Sequence, residues 1–198
     1  MTNRPLKLRG ALLGALYLVP LSALAHPGAG ASSGFAAGFM HPFGGADHLL
    51  AMFAVGLWAA QQGGRALWAV PATFVAVMLL GAALGMISGP VPVPLVEAGI
   101  LTSVLVLGVL IATACRLPVA AGALLVGIFA LFHGHAHGAE MPLSAAGIVY
   151  SAGFAVATAA LHVAGVAAGI GAQHVRLRML ARVAGGAIAV GGLYLAAL

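Results

Sequence analysis

From about residue 34 to residue 197 the chain is a succession of six apolar runs, at about 34–61, 66–88, 95–114, 117–138, 143–171 and 179–197. Each is close to the roughly 20 residues that a helix needs to cross a lipid hydrocarbon core of about 30 Å. The breaks between them are short and carry glycine, proline or arginine: Gln61-Gln62-Gly63-Gly64-Arg65, Gly89-Pro90-Val91-Pro92-Val93-Pro94, Arg116, Glu140-Met141-Pro142 and Gln173 to Arg178. Short connections make sequential runs antiparallel neighbours, so an all-α integral membrane bundle of six helices, one domain over 26–198, is the expected fold. Composition agrees: 63% of residues are hydrophobic and 6% charged, whereas a soluble domain carries about 25% charged residues. That excludes a soluble enzyme and a disordered chain, and the one cysteine excludes a disulfide scaffold.

The first 25 residues read as an address. Arg4, Lys7 and Arg9 precede the apolar run Gly10 to Leu21, which ends in Ala23-Leu24-Ala25. A basic start, a short apolar stretch and an A-x-A site describe a cleavable signal peptide, with His26 as the mature N-terminus. Without those three basic residues, five arginines face three acids, so the formal charge of +5 is no nucleic-acid signal. Arg65, Arg116, Arg176, Arg178 and Arg182 fall in or beside the odd connections, which the positive-inside tendency places in the cytoplasm. Both mature termini are then periplasmic, in a bacterial inner membrane. Gly34-x-x-x-Gly38, Gly81-x-x-x-Gly85 and Gly165-x-x-x-Gly169 are candidates for close helix contact.

Ionisable groups inside a membrane are costly and therefore candidates for function. Five histidines and two acids lie in two stretches, His41-Pro42-Phe43-Gly44-Gly45-Ala46-Asp47-His48 and Phe132-His133-Gly134-His135-Ala136-His137-Gly138-Ala139-Glu140. On a helix His133, His137 and Glu140 share one face, His135 points elsewhere, and Gly134 and Gly138 lie on an adjacent face open to another helix. Pro42 and Gly44-Gly45 predict a break in the first span. In a purely structural role Asp47 would cap a helix that starts at His48 and runs to about Ala60, too short to span alone, so the span combines residues 34–41 with the helix after the break. Broken helices recur as ion-binding devices in transporters. Imidazole with carboxylate suits Ni²⁺, Co²⁺ and Zn²⁺, as bound substrate and not as resident cofactor. Met40 and Met52 offer thioethers, but methionine in an apolar helix is chiefly packing.

The two stretches resemble signatures of the HupE/UreJ family of nickel and cobalt permeases. A histidine, five intervening residues and Asp-His stand here as His41, Asp47 and His48, and Phe-His-Gly-x-Ala-His-Gly-x-Glu stands at Phe132 to Glu140. Leu49 to Ala60 also resembles family sequence. The resemblance implies a secondary permease importing Ni²⁺ or Co²⁺ for hydrogenase, urease or cobalamin-dependent systems, with a role for the acid that begins span three, Glu97.

The expected metal residues are therefore His41, Asp47, His48, His133, His137 and Glu140, with His26, Glu97, His135 and His162 as lesser candidates. The expected route captures the hydrated ion at His26 and His41 and releases it inward past His162. No P-loop motif occurs and the one lysine is Lys7, so intrinsic ATP hydrolysis of that type is excluded. Protons compete with metal for these donors, so uptake should fall at low pH. Two other readings stay open: an intramembrane Zn-dependent hydrolase, with Asp47 or Glu140 as base, and a metal sensor or chaperone without transport. Self-association into a homo-oligomer is also left open.

Overall fold

The computed structural model describes residues 34–89, 93–139, 141, 145–174 and 177–198. The signal peptide, His26 and Glu140 lie outside the described residues. Among those described there is helix and no strand. The elements are α1 (Phe35–Met40), a 3-10 turn (His41–Phe43), α2 (Ala46–Gln62), α3 (Ala66–Ser88), α4 (Val93–Thr113), α5 (Val119–Ala139), α6 (Ala145–His174) and α7 (Arg178–Leu195). They occupy the six apolar runs, with the first divided.

Four helical segments, Ala66–Ser88, Leu95–Thr113, Val119–Ala139 and Ala146–Gln173, are long and apolar enough to cross a membrane. The first run is bent by 85° between Phe35–Phe43 and Ala46–Gln62, as a broken span or a re-entrant loop. The expected break is thus present, but its detail differs. The helix starts two residues earlier, at Ala46, and the capping residue is Gly45. Asp47 sits in the first turn and makes no cap; its carboxylate bonds the next residue, His48. With 17 residues, α2 is about 25 Å long, longer than the expected stub. The sixth run, α7, is helical, but it is not among the helices apolar enough to cross; Arg178 and Arg182 occupy its first turns.

Outward-facing Ile87, Leu124, Val163 and Val190 are more than 60% exposed, a surface that suits lipid and not water. Trp58, Phe74, Met52, Met78, Leu107 and Ile111 fill the interior. Inside lipid the apolar surface drives no helix association, so packing relies on close backbone contact. A Cβ at Gly134 or Gly138 of α5 would collide with the Met78 or Ala82 carbonyl of α3, and one at Gly56 of α2 would collide with the His162 carbonyl of α6. Gly38 of α1 and Gly153 of α6 meet the facing backbones of Tyr150 and Phe35 in the same way. Of the expected glycine pairs, Gly81, Gly85 and Gly165 lie at such contacts and Gly169 lies against the Ala60 and Leu57 side chains, whereas Gly34 faces nothing within 4 Å among the described residues.

One end of the bundle is tied by side chains that cap backbone carbonyls. The last carbonyls of a helix have no partner within it. At the end of α4, Gln61 Nε2 donates to Ile111 O at 3.2 Å, Arg182 Nε to Ala112 O at 2.8 Å, and Trp58 Nε1 and Gln62 Nε2 to Cys115 O, both at 3.2 Å. Gln173 Nε2 joins α6 to Ala60 O of α2 at 2.8 Å. Arg65 and Arg116 fall at this same end by connectivity. The histidine stretches fall at the other.

Two helix-interior glycines separate contact from propensity. Gly138→Ala should destabilise the bundle by about 1–3 kcal/mol through overpacking. Gly186→Ala, where nothing lies within 4 Å, should be neutral or stabilise by up to about 1 kcal/mol. Thermal unfolding in detergent measures both, and equal effects would contradict the packing described.

Candidate metal site

The break in the first span and the glycine face of α5 together create the site. Because Gly134 and Gly138 lie against α3, the neighbouring face of α5, about 100° away, carries His133 and His137 toward α2 and α6. The 85° bend folds His41 back over the start of α2, where His48 is placed. The resulting imidazole rings pack edge to face, except His48 against His137, which is tilted. Ring centroids are 4.3 Å apart for His41 and His137, 4.6 Å for His48 and His137, and 4.8 Å for His48 and His133. Phe154 of α6 lies under the group, with its ring 4.7 Å from that of His137 and 5.8 Å from that of His41. The Tyr150 ring stands 5.8 Å from His41.

Hydrogen bonds assign the imidazole protons. Asp47 Oδ1 accepts from the backbone N–H of His48 at 2.8 Å and lies 2.9 Å from His48 Nδ1. A carboxylate accepts only, so Nδ1 of His48 carries the proton and its Nε2 presents a lone pair. That lone pair faces His137 Nε2 at 2.6 Å, so His137 is the donor between them. Deeper in the bundle, His133 is fully buried. Its Nε2 lies 3.1 Å from Ser103 Oγ, whose own proton goes to the Ile100 carbonyl at 2.6 Å. Ser103 therefore accepts from His133 Nε2–H, and His133 Nδ1 is left buried with no hydrogen-bond partner among the described residues.

This orientation by a carboxylate or hydroxyl behind the imidazole is the arrangement that prepares a histidine as a metal ligand. As the rings stand, no group of three or more His, Cys, Asp or Glu among the described residues is arranged to hold a metal ion. The reason is one of spacing. An ion about 2.0–2.1 Å from each of two nitrogens, at an angle of about 90–109°, needs them about 2.8–3.4 Å apart. The 2.6 Å between His48 and His137 fits a shared proton, and accepting an ion requires these rings to part by a few tenths of an ångström.

A family model described as HupE / UreJ protein matches residues 14–195. The chain belongs to the HupE/UreJ family. A similar protein, "Protein HupE" of Rhizobium leguminosarum bv. viciae, is 48% identical over 182 residues, covering 90% of this chain and 92% of its own. No solved structure matches. The matched region of this HupE/UreJ member includes both histidine stretches.

Of the residues singled out in the sequence, His41, Asp47, His48, His133 and His137 come together. His135 does not. It lines an apolar groove of about 310 Å³ with Gly81, Leu84, Val96, Leu131 and Phe132, on the side of α5 away from the cluster. Glu97 is exposed near the start of α4, and no hydrogen bond or ion pair among the described residues ties it to the histidines. His162 is buried on α6, edge-on to Phe74 at 5.1 Å, and separate from the cluster. Sequence reasoning missed Ser103, Tyr150 and Phe154. A lone serine in an apolar helix has no spacing signal, and its value emerges only from the helix that faces it.

Nitrogen-resolved NMR of the ¹⁵N-imidazole groups tests these assignments. The proton should sit on Nδ1 of His48 and Nε2 of His133, and Asp47→Ala should release the former and Ser103→Ala the latter. The opposite protonation in the unsubstituted protein would contradict the geometry.

Proposed function

We propose that the chain is a secondary permease that imports Ni²⁺ or Co²⁺ across a bacterial inner membrane. The observation that carries this reading is the meeting of His48 Nε2 and His137 Nε2, with Asp47 holding His48 from behind. His41, edge-on to His137, supplies a third imidazole after a modest ring rotation. His133 presents an unpaired Nδ1 one turn deeper on the same face as His137. Membership of the HupE/UreJ family, whose resemblance implies nickel and cobalt uptake, supports the choice of substrate.

In this reading Asp47 is chiefly the residue that orients His48, and its charge also favours a dication nearby. Glu140, three residues after His137 in the sequence and outside the described residues, is a further candidate carboxylate donor, and Glu97 is an exposed acid on α4. The arginine-bearing end is cytoplasmic by the positive-inside tendency, so the histidine cluster faces the periplasm and α7 completes a sixth crossing. An entering ion displaces the proton between His48 and His137, which passes to Nδ1 of His137 or to water. Coupling ion binding to proton displacement keeps the site weak enough to release its cargo, as transport requires. Transport is then driven by the ion gradient, the membrane potential or proton exchange.

Proteoliposomes containing the full chain test the proposal. The protein should admit Ni²⁺ or Co²⁺ to the lumen. His48→Ala and His137→Ala should each cut the rate by at least about tenfold, the scale on which lost ligands and their supports act. His135→Ala should leave it within about twofold. A protein that binds these ions without moving them would favour a sensor or hydrolase, and unchanged uptake in His48→Ala would remove the site assignment.

A further inference from the structure

Below the outer histidines the bundle contains a second set of donors. Three helices present pairs of residues one turn apart, Met52 and Gly56 on α2, Met78 and Phe74 on α3, and Thr158 and His162 on α6. The chain directions place the first of each pair nearer the histidine end. At the upper level, Thr158 Oγ1 donates to Met52 Sδ at 3.3 Å and lies 3.7 Å from Met78 Sδ. At the lower level, Gly56 lets α2 close on the backbone of His162, and the Phe74 ring covers the imidazole edge-on.

Two features of this layer depart from ordinary packing. Buried threonine in a helix commonly bonds the carbonyl one turn back, yet this hydroxyl turns to thioether sulfur, a weak acceptor. Both ring nitrogens of His162 lack a hydrogen-bond partner among the described residues, and the residue is 1% exposed. Buried polar groups are nearly always satisfied, so a doubly orphaned imidazole calls for a physical reason. Met52, Met78 and Thr158 are equally closed off, at 1% exposure or less. Two methionine sulfurs on different helices facing one hydroxyl, with a free imidazole one turn below, form a donor set typical of late transition metals. Hard ions such as Mg²⁺ and Ca²⁺ take oxygen donors.

We propose that Met52, Met78, Thr158 and His162 form an inner station for a late first-row transition-metal ion, reached after the outer histidine cluster. His162 lies eight residues beyond Phe154 on α6, about 12 Å further along the helix axis, so the station sits well inside the membrane. Phe74 is in ring contact with both His133, at 5.6 Å, and His162, at 5.1 Å, and thus lies between the outer and inner donors. In the uptake reading, on which the station's role in transport rests, thioether ligands discriminate against hard cations that the outer carboxylates also attract. The station itself is a binding claim and stands or falls separately.

The test uses Co²⁺ as the probe and the full chain in nanodiscs, in a His48→Ala/His137→Ala background that disables the outer cluster. X-ray absorption at the cobalt edge should show sulfur among the nearest scatterers. Met52→Leu with Met78→Leu, nearly volume-conserving changes that a packed core tolerates, should remove that sulfur signal. In the same background His162→Gln should lose the bound Co²⁺ in equilibrium dialysis while eluting as an unaltered particle. Absence of bound Co²⁺ in the background protein, or a cobalt shell of nitrogen and oxygen that the leucine variants do not change, would overturn the station. Sulfur-ligated Co²⁺ in the background protein, together with unsubstituted protein that fails to carry Co²⁺ into proteoliposomes, would uphold the station and overturn the uptake reading instead.

Discussion

Helices in lipid gain little from burying apolar side chains against one another, because the solvent they leave is equally apolar. The fold therefore depends on backbones meeting at glycine. Contact of Gly134 and Gly138 with the carbonyls of Met78 and Ala82 fixes the rotation of α5, and that rotation aims His133 and His137 at α2 and α6. Gly56 against His162 and Gly153 against Phe35 bring α6 close enough for Phe154 to underlie the imidazoles. The site is a consequence of small residues that touch no ligand.

The two ends of the bundle handle polar groups differently. At the arginine-bearing end, glutamine, tryptophan and arginine donors satisfy the carbonyls that close α4. These bonds use amide, indole and guanidinium N–H groups that serve only as donors, so they suit a structural clamp. At the histidine end the partners are imidazoles, which exchange protons and can accept a metal in place of one. The 2.6 Å contact between His48 and His137 is of that exchangeable kind, whereas Asp47 and Ser103 hold the rings in place from behind.

Much of this was legible in the sequence. The apolar runs gave the helices nearly to their ends, Pro42 and Gly44-Gly45 marked the bend, and the spacing of His133 and His137 placed them on one face with Gly134 and Gly138 beside them. What periodicity reports is the face of one helix, not the identity of the helix that docks on it. Ser103 was invisible for that reason, and so was the turning of Met52 and Met78 toward Thr158. For Asp47 the sequence offers two roles, helix cap and metal-site residue, because a short acid before an apolar run often caps a helix. Here its carboxylate is engaged by the backbone and ring of the very next residue.

The central claim is that the paired imidazoles of His48 and His137 receive the transported ion. Anomalous diffraction at the cobalt edge from crystals of the full chain grown with Co²⁺ addresses it directly. A peak between the two Nε2 atoms, with the rings parted relative to their 2.6 Å hydrogen-bonded contact and Asp47 still on His48 Nδ1, is the predicted result. Density confined to Glu97 or other exposed acids, with His48 and His137 still hydrogen-bonded to each other, would contradict it.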